Sequence, residues 1–214
     1  IESGAAAFVF REAEVEQMAQ EATALRNAEG VNAVQFACDN EQGVRLALDH
    51  LAQLGHRKVG HLSGTPELRD AQLRLRAFES IAEALGLETR PAWSSCANFV
   101  WDQAQERALE ILNAPERPTA FFCANDEMAH GVCRAAASLG LRVPEDLSVI
   151  GFDDAPLAQI ATPTITTVQQ PVAELARLAT HAVLRLIEGK APVEGKILPN
   201  RLIVRASTSS PKED

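Results

Sequence analysis

The chain has 214 residues, 46% of them hydrophobic, so it can bury a full core as one domain or as two. Its formal net charge of −9 argues against a large phosphate-binding surface, because affinity for nucleic acids depends on clustered Lys and Arg side chains. No stretch is apolar for long enough to form a membrane-spanning helix.

The predicted elements alternate between helix and strand almost throughout the chain. Apolar residues at helical spacing predict helices over 12–25, 43–54, 73–85, 103–112, 127–136 and 172–187. Short apolar runs predict strands over 34–38, 58–62, 119–124, 147–152, 164–168, 197–198 and 202–205, with 93–99 also extended. Gly55, Gly86 and Gly140 each follow a predicted helix, where glycine commonly ends one. This order predicts an α/β fold whose parallel sheet is covered by helices on both faces.

Two of the predicted strands end in a pair of polar residues. Asp153 and Asp154 end one of them, and Asn125 and Asp126 end the other. In open α/β sheets, ligands bind outside the carboxyl ends of the strands, where such groups can bind a hydroxylated or basic ligand. The alternative is a helix cap or a turn, since Asp and Asn serve both roles well. A cap explains one member of the Asn125–Asp126 pair but rarely both.

Several catalytic signatures do not occur in the sequence. The run Gly60–Gly64 has the spacing GxxSG, whereas a nucleophile elbow requires GxSxG. We find no GxxxxGK(S/T) or GxGxxG loop for phosphates, and no HExxH or clustered His/Asp set for a metal. Cys38, Cys96, Cys123 and Cys133 form no CxxC pair, so zinc ligation is not expected and a reducing cytoplasm is the default location. We therefore predict no catalytic residues, no metal and no cofactor.

Six blocks of the sequence, in order and with the expected gaps, resemble those of the lactose-repressor (LacI/GalR) family of transcriptional regulators. The match runs from about Cys38 to Thr208. The blocks that carry it are 39–59, 74–78, 118–131, 140–154 (which contains VPEDLSVIGFDD), 163–171 and 198–208. Ala77 departs from the family pattern, because glycine is usual there. Single motifs of this kind are weakly specific, but six in sequence are highly specific.

The resemblance implies two Rossmann-like lobes with parallel sheets, the periplasmic-binding-protein type I fold, with a small effector bound between them. By analogy, the chain would cross between the lobes near Asp39, Gln170 and Pro199. The N-terminal lobe would comprise 1–39 and 171–198, the C-terminal lobe 40–170 and 199–208, and a tail 209–214. Further βα units normally begin the N-terminal lobe, and 1–39 is too short for them. We therefore expect this lobe to be incomplete, with the family's helix-turn-helix also missing.

The same resemblance assigns five effector-binding residues, namely Arg74, Phe99, Asn125, Asp153 and Gln170. Arg74 would hold two adjacent hydroxyls or a carboxylate with its planar guanidinium. Asp153 would accept hydrogen bonds from hydroxyls or a ring N–H, and Asn125 would both donate and accept. Phe99 would stack on the apolar face of the effector. Gln170, at the second crossover, is the weaker candidate.

Two of these residues have a competing structural interpretation. Arg74 is alternatively a surface arginine of a helix, because Arg69 and Arg76 crowd the same region. Phe99 is alternatively a plain core aromatic, because Trp101 lies two residues away, on the same face of any extended segment. The surroundings of each side chain in the fold distinguish the two interpretations.

The resemblance predicts the effector-sensing domain of a bacterial transcriptional regulator. A sugar is the leading effector, with a purine or related metabolite behind it. Binding would close or reorient the lobes and shift the population of dimers that can bind DNA. The expected partners are the effector, a second copy in a homodimer, and operator DNA reached only through the missing helix-turn-helix. No membrane is expected, and the location would be cytoplasmic.

Two alternatives belong to other classes of protein. A periplasmic sugar-binding protein for uptake shares this fold, although no basic region followed by an apolar core stands at the start of the chain to form a signal peptide. An acid-dependent hydrolase using Asp126 and Asp153 is more distant, because the evidence for an enzyme is thin.

Overall fold

The computed structural model describes residues 34–212. The helix predicted over 12–25 lies outside the described residues. None of the helices within 34–212 has the length and apolar character needed to cross a membrane.

Eight strands and six α-helices make up the described part of the chain. The strands are β1 Phe36–Cys38, β2 Val59–Ser63, β3 Ser94–Cys96, β4 Ala120–Cys123, β5 Ser148–Asp153, β6 Thr166–Gln169, β7 Lys196–Leu198 and β8 Arg201–Ile203. The helices are α1 Asn40–Leu54, α2 Arg69–Ala84, α3 Trp101–Leu112, α4 Asp126–Ser138, α5 Pro156–Ile160 and α6 Val172–Ile187, with a 3₁₀ turn at Pro91–Trp93. The short helix α5 was not predicted, because five residues contain too little of the helical period to detect.

Six of the strands form one sheet in the order β3-β2-β4-β5-β6-β8. Five run parallel, and β8 runs antiparallel to β6. The sequence did not predict this reversal.

A second, two-stranded sheet consists of β1 and β7 in parallel, and α6 packs against β1. The chain passes between the two sheets after Cys38, after Gln169 and after Leu198. Two of these passages are bonded to each other, because the Asp39 N–H donates to the carbonyl oxygen of Leu198 at 2.9 Å. The third is beside them, since Gln169 pairs with Arg201 in the large sheet.

The core lies on both faces of the six-stranded sheet. Successive residues of β4 alternate between the faces, so Phe121 packs with α3 and α4 while Phe122 packs with α1 and α2. The residues of β5 alternate in the same way, so Val149 lies on the face of Phe121 and Ile150 on the face of Phe122. The prediction of an α/β sheet covered on both faces is confirmed.

Helices α3 and α4 approach closely at Gly131. A Cβ atom on this residue would lie 2.2 Å from the carbonyl oxygen of Trp101 and 2.9 Å from the Cβ of Ala104. The obstructing atom nearest to it belongs to the backbone, so it cannot move aside as a side chain would. The absence of a side chain at Gly131 therefore sets the distance between the two helices.

We expect Gly131→Ala to lower the free energy of unfolding by about 1–3 kcal/mol, because the added methyl forces the helices apart. This change in the free energy of unfolding is opposite to the usual one, since alanine normally stabilises a helix when it replaces an internal glycine. Urea unfolding measures the change, with Ser138→Ala on the exposed side of α4 as the control. Stabilisation by Gly131→Ala would contradict the close approach.

Candidate functional site

The five candidate residues lie around the carboxyl edge of the six-stranded sheet. Asp153 ends β5, Asn125 follows β4 by two residues, and Gln170 follows β6 directly. Phe99 stands in the loop between β3 and α3, and Arg74 is in α2. Hydrogen bonds join them into two groups. Arg74, Asp153 and Gln170 form one group, and Asn125 and Phe99 form the other.

Arg74 is a buried cation whose Nε and Nη1 have partners within the protein. Only 4% of the residue is exposed, because it lies one helical turn before the core residue Phe78. Its Nε donates to Asn40 Oδ1 at 2.8 Å, and its Nη1 donates to the carbonyl oxygen of Ala124 at 2.5 Å. The guanidinium carbon lies 3.7 Å from the ring centroid of Phe152. The alternative of a surface arginine is therefore wrong.

The carboxylate of Asp153 lies between Arg74 and Gln170. Its Oδ1 is 3.5 Å from Arg74 Nη1 and accepts a hydrogen bond from Gln170 Nε2 at 2.5 Å. Burial raises the pKa of Asp153, although the Arg74 charge and the Gln170 amide act in the opposite direction. About a third of its side chain, 35%, stays exposed. A ligand can therefore reach this carboxylate, whereas Arg74 lies beneath it.

Asn125 is engaged on both sides of its amide. Its Oδ1 accepts from the Met128 N–H at 2.9 Å, which makes Asn125 the N-cap of α4. Its Nδ2 donates to the carbonyl oxygen of Phe99 at 3.1 Å. The residue is 9% exposed. The Asn125 oxygen is therefore already used in capping α4. A ligand that accepts a hydrogen bond from Asn125 Nδ2 would have to compete with the carbonyl oxygen of Phe99.

Phe99 is held in a left-handed conformation with φ of 64°. Its ring lies over Gly64, where a Cβ atom would come within 2.0 Å of the ring. The prediction of an extended segment over 93–99 is confirmed only at Ser94–Cys96, because Trp93 ends the 3₁₀ turn and Asn98 is left-handed like Phe99. Trp101 does not share a strand face with Phe99, since it begins α3. The Phe99 side chain packs against the core, and the residue is only half-buried.

Asp126 has a different position from the one that capping implies. The cap is Asn125, and Asp126 is 1% exposed inside the fold. Its two oxygens accept from the Thr167 hydroxyl at 2.5 Å and from the Ala155 N–H at 2.7 Å. Both oxygens are shielded from solvent, so they cannot act on a substrate. This geometry opposes the hydrolase alternative.

Two residues of the site, Asn40 and Phe152, were not identified from the sequence. Asn40 accepts from Arg74 and donates from Nδ2 to Asp70 Oδ1 at 3.2 Å. Phe152 lies under the Arg74 guanidinium, although its run of apolar neighbours indicated only a core strand. Asn40 follows the end of β1 by two residues, as Asn125 follows β4, and this position could have identified it.

The exposed groups at this edge suit a polar, hydroxylated molecule with an apolar face. The carboxylate of Asp153 and the amide of Gln170 offer acceptors and donors, and the half-buried Phe99 ring offers a stacking surface. Within residues 34–212, no cluster of three or more His, Cys, Asp or Glu side chains is placed to hold a metal ion.

Comparison with known proteins places this architecture in a family. A model of the periplasmic binding protein-like domain matches residues 48–208. The HTH-type transcriptional repressor CytR of Escherichia coli (strain K12) is 33% identical over 171 residues, which cover 79% of this chain and 50% of that protein. The HTH-type transcriptional repressor PurR of Haemophilus influenzae (strain PittEE) is 36% identical over 172 residues, covering 78% and 51%. The chain thus spans about half the length of these relatives.

Solved structures agree with this placement. A dimeric Lac repressor with a C-terminal deletion superposes with a TM-score of 0.76 at 30% identity, covering 81% of this chain and 64% of that one. A LacI family transcriptional regulator from Mycobacterium smegmatis gives 0.77 at 28% identity, covering 87% and 70%.

The mainly parallel sheet and the polar groups at its carboxyl edge define a ligand-binding domain of the periplasmic-binding-protein type. More specifically, the chain belongs to the lactose-repressor (LacI/GalR) family of transcriptional regulators, through its periplasmic binding protein-like domain. The relatives are repressors and not enzymes, in agreement with the prediction that this chain has no catalytic function.

We expect Arg74→Lys to lower the free energy of unfolding by about 1–3 kcal/mol even without a ligand, because an ammonium cannot reproduce the bonds to Asn40 and Ala124. Thermal unfolding and urea titration measure the loss. Arg76→Lys on the exposed face of the same helix is the matched control and should be neutral. Equal stability of the two variants would mean that Arg74 has no structural role.

Proposed function

We propose that this chain is the effector-sensing domain of a bacterial LacI-type transcriptional regulator that binds a small polar molecule, foremost a sugar. The observation that carries the proposal is the group formed by Arg74, Asp153 and Gln170 at the carboxyl edge of the sheet. Arg74 fixes the carboxylate from below, and Asp153 presents it to the ligand. Such an arrangement binds hydroxyls through short, charge-assisted hydrogen bonds.

We infer that the ligand lies between two lobes. The first would contain 1–39 and 171–198, and the second 40–170 and 199–208. The separation of the two sheets and the three passages between them support this division. Several large apolar side chains of the smaller lobe are more than half exposed, namely Val172, Val183, Leu184, Leu186, Ile187 and Ile197. Further βα units would cover such a surface, which supports the proposal that this lobe is incomplete here.

The mechanism we infer is a shift between two arrangements of the lobes. A ligand that contacts both lobes binds one arrangement better than the other, and it shifts the population by that difference in affinity. Operator DNA is the proposed second partner. The net charge of −9 supports contact through a helix-turn-helix and not through the residues of this chain. A cytoplasmic location accompanies this function.

For the effector site, we expect Asp153→Asn to weaken binding of the best ligand about tenfold, or roughly 1.4 kcal/mol, because an amide replaces a charged acceptor. Calorimetric titration of the full-length protein with D-galactose, D-ribose, lactose, sucrose and adenosine selects that ligand. Asp102→Asn, an exposed change in α3, is the control and should bind like the wild type. Unchanged affinity in Asp153→Asn would remove this carboxylate from the site.

We also propose that the protein forms a homodimer through the exposed sides of α3, α4 and α5. Ile160 at the end of α5 is 78% exposed, and Trp101 at the start of α3 is 41% exposed. The Arg134 guanidinium of α4 lies 5.4 Å from the Trp101 ring. Aromatic and arginine side chains are enriched at interfaces in this way. A dimeric Lac repressor is among the similar structures.

If this surface joins two copies, Ile160→Asp should shift the full-length protein towards the monomer, because a charge would be buried without a partner at the interface. Sedimentation equilibrium at several concentrations measures the dissociation constant, and we expect it to rise at least tenfold. Val204→Asp places the same charge on an exposed apolar residue outside α3, α4 and α5. If both variants dimerise like the wild type, the interface is elsewhere.

A further inference from the structure

The turn that begins at the last residue of β5 contains two consecutive residues in the left-handed region. Asp153 has a φ of 113° and Asp154 a φ of 58°. Residues other than glycine rarely adopt such angles, and they keep them only where surrounding contacts enforce them. The conformation of this turn sets the direction of the Asp153 carboxylate.

Asp154 is fixed on the outer side of the turn. Its carboxylate accepts from Arg205 Nη2 at 2.6 Å and from Gln169 Nε2 at 2.8 Å. Its own N–H donates to Thr167 Oγ1 at 3.4 Å. These contacts bind the turn to β6 and to the segment after β8.

Asp126 fixes the inner side of the same turn. Its Oδ2 accepts from the N–H of Ala155, the residue that follows the two left-handed ones, at 2.7 Å. Its Oδ1 accepts from the Thr167 hydroxyl, which itself accepts from Asp154. Gly151 provides the room, because a Cβ atom there would lie 2.2 Å from Asp126 Oδ1. A glycine in β5 and an aspartate at the start of α4 are thus matched to each other.

We propose that Asp126 is a positioning residue that holds the Asp153–Asp154 turn and thereby directs the Asp153 carboxylate to Arg74, Gln170 and the ligand. This inference rests on the proposed function for its consequence in ligand binding. The role in the turn is independent of which ligand binds. Asp126 itself touches no ligand, since it is 1% exposed.

The protonation of Asp126 gives this role a measurable signature. Burial raises the pKa of Asp126 to about 7, and the carboxylates of Asp153 and Asp154 act in the same direction. The hydrogen bonds from Thr167 and Ala155 lower the pKa of Asp126, but they do not offset burial. On β4, burial raises the pKa of the Cys123 thiol well above its usual value and the Asp126 charge acts in the same direction, so this thiol stays neutral.

Both protonation states preserve the turn. A protonated Asp126 can donate to Thr167 Oγ1, since a hydroxyl oxygen both donates and accepts, and its other oxygen still accepts from Ala155. Asparagine has nearly the same shape as the protonated acid, and it likewise places one donating and one accepting atom on the terminal carbon, with one additional N–H. Asp126→Asn should therefore keep the turn, whereas Asp126→Ala removes both contacts and leaves the Ala155 N–H without its acceptor.

Stability against pH follows from the direction of this shift. The pKa of Asp126 in the folded state lies above its ordinary value of 3.8, so ionisation of the carboxylate opposes folding. The unfolding free energy of the wild type should fall relative to that of Asp126→Asn as the pH rises from about 4 to above 7. Urea titrations of both proteins across this range isolate the contribution of Asp126. Parallel pH profiles would contradict the buried ionisation.

The decisive experiment follows the Asp153 carboxyl by carbon-13 NMR in the full-length protein labelled at aspartate. We expect Asp126→Ala to open the turn and expose the Asp153 carboxyl to solvent, which lowers the pKa of Asp153 towards its ordinary value. In Asp126→Asn, the pKa of Asp153 should stay raised. Leu112→Ala, a core change in α3, is the control for destabilisation alone and should leave the Asp153 titration unaltered. An unchanged Asp153 titration in Asp126→Ala overturns the proposal. If Asp126→Ala does not fold, Thr167→Val removes the hydroxyl that links Asp126 to Asp154. A lowered pKa of Asp153 in Thr167→Val then supports the proposal, and an unchanged Asp153 titration overturns it.

Binding of the five ligands named above separates this inference from the proposed function. We expect Asp126→Ala to weaken binding of the best of them at least tenfold and Asp126→Asn to change it less than twofold. If Asp126→Ala binds this ligand as tightly as the wild type does, and the pKa of Asp153 is still raised in this variant, the positioning role is refuted. If none of the five binds to the wild type, the proposed effector class fails, while the titration of Asp153 still decides the role of Asp126.

Discussion

The burial of the Arg74 guanidinium constrains the rest of the site. A cation that is 4% exposed must have its charge and its N–H groups satisfied within the protein. The partners come from the end of β1, the end of β4 and the end of β5, with the Phe152 ring beneath. These segments are far apart in the sequence, and one side chain contacts all three of them. The candidate ligand contacts are arranged around it.

Much of the fold follows from local patterns. The helix predicted over 172–187 from its apolar spacing has the same bounds as α6. Gly55 directly follows α1, and Gly140 follows the last residue of α4 by two residues; both have a left-handed φ. Strand order and the antiparallel β8 do not follow in this way. They depend on which edge of the sheet each connection reaches, and apolar periodicity contains no information about that.

The site could be predicted only in part. A polar residue after a buried strand identifies the edge of the sheet correctly, as with Asp153 and Asn125. It does not reveal which of two adjacent polar residues caps a helix. Asn125 and Asp126 have similar capping preferences, and their roles differ because Gly151 leaves space for one of them. Burial of Arg74 was not predicted either, although its distance of one helical turn from Phe78 places it on the core side of the helix. The other arginines of this helix remain at the surface.

The pairing of β1 with β7 has a consequence for the order of folding. Phe36 pairs with Lys196, so three residue pairs close a loop of about 160 residues. During synthesis, β1 emerges long before its partner exists, whereas β2, β4 and β5 have neighbouring strands soon after they leave the ribosome. Strands β2 to β6 of the larger sheet can therefore pair before β7 is synthesised, and only β8 joins this sheet afterwards. Contacts of such long range form slowly, so we expect the junction between the two sheets to form late in folding.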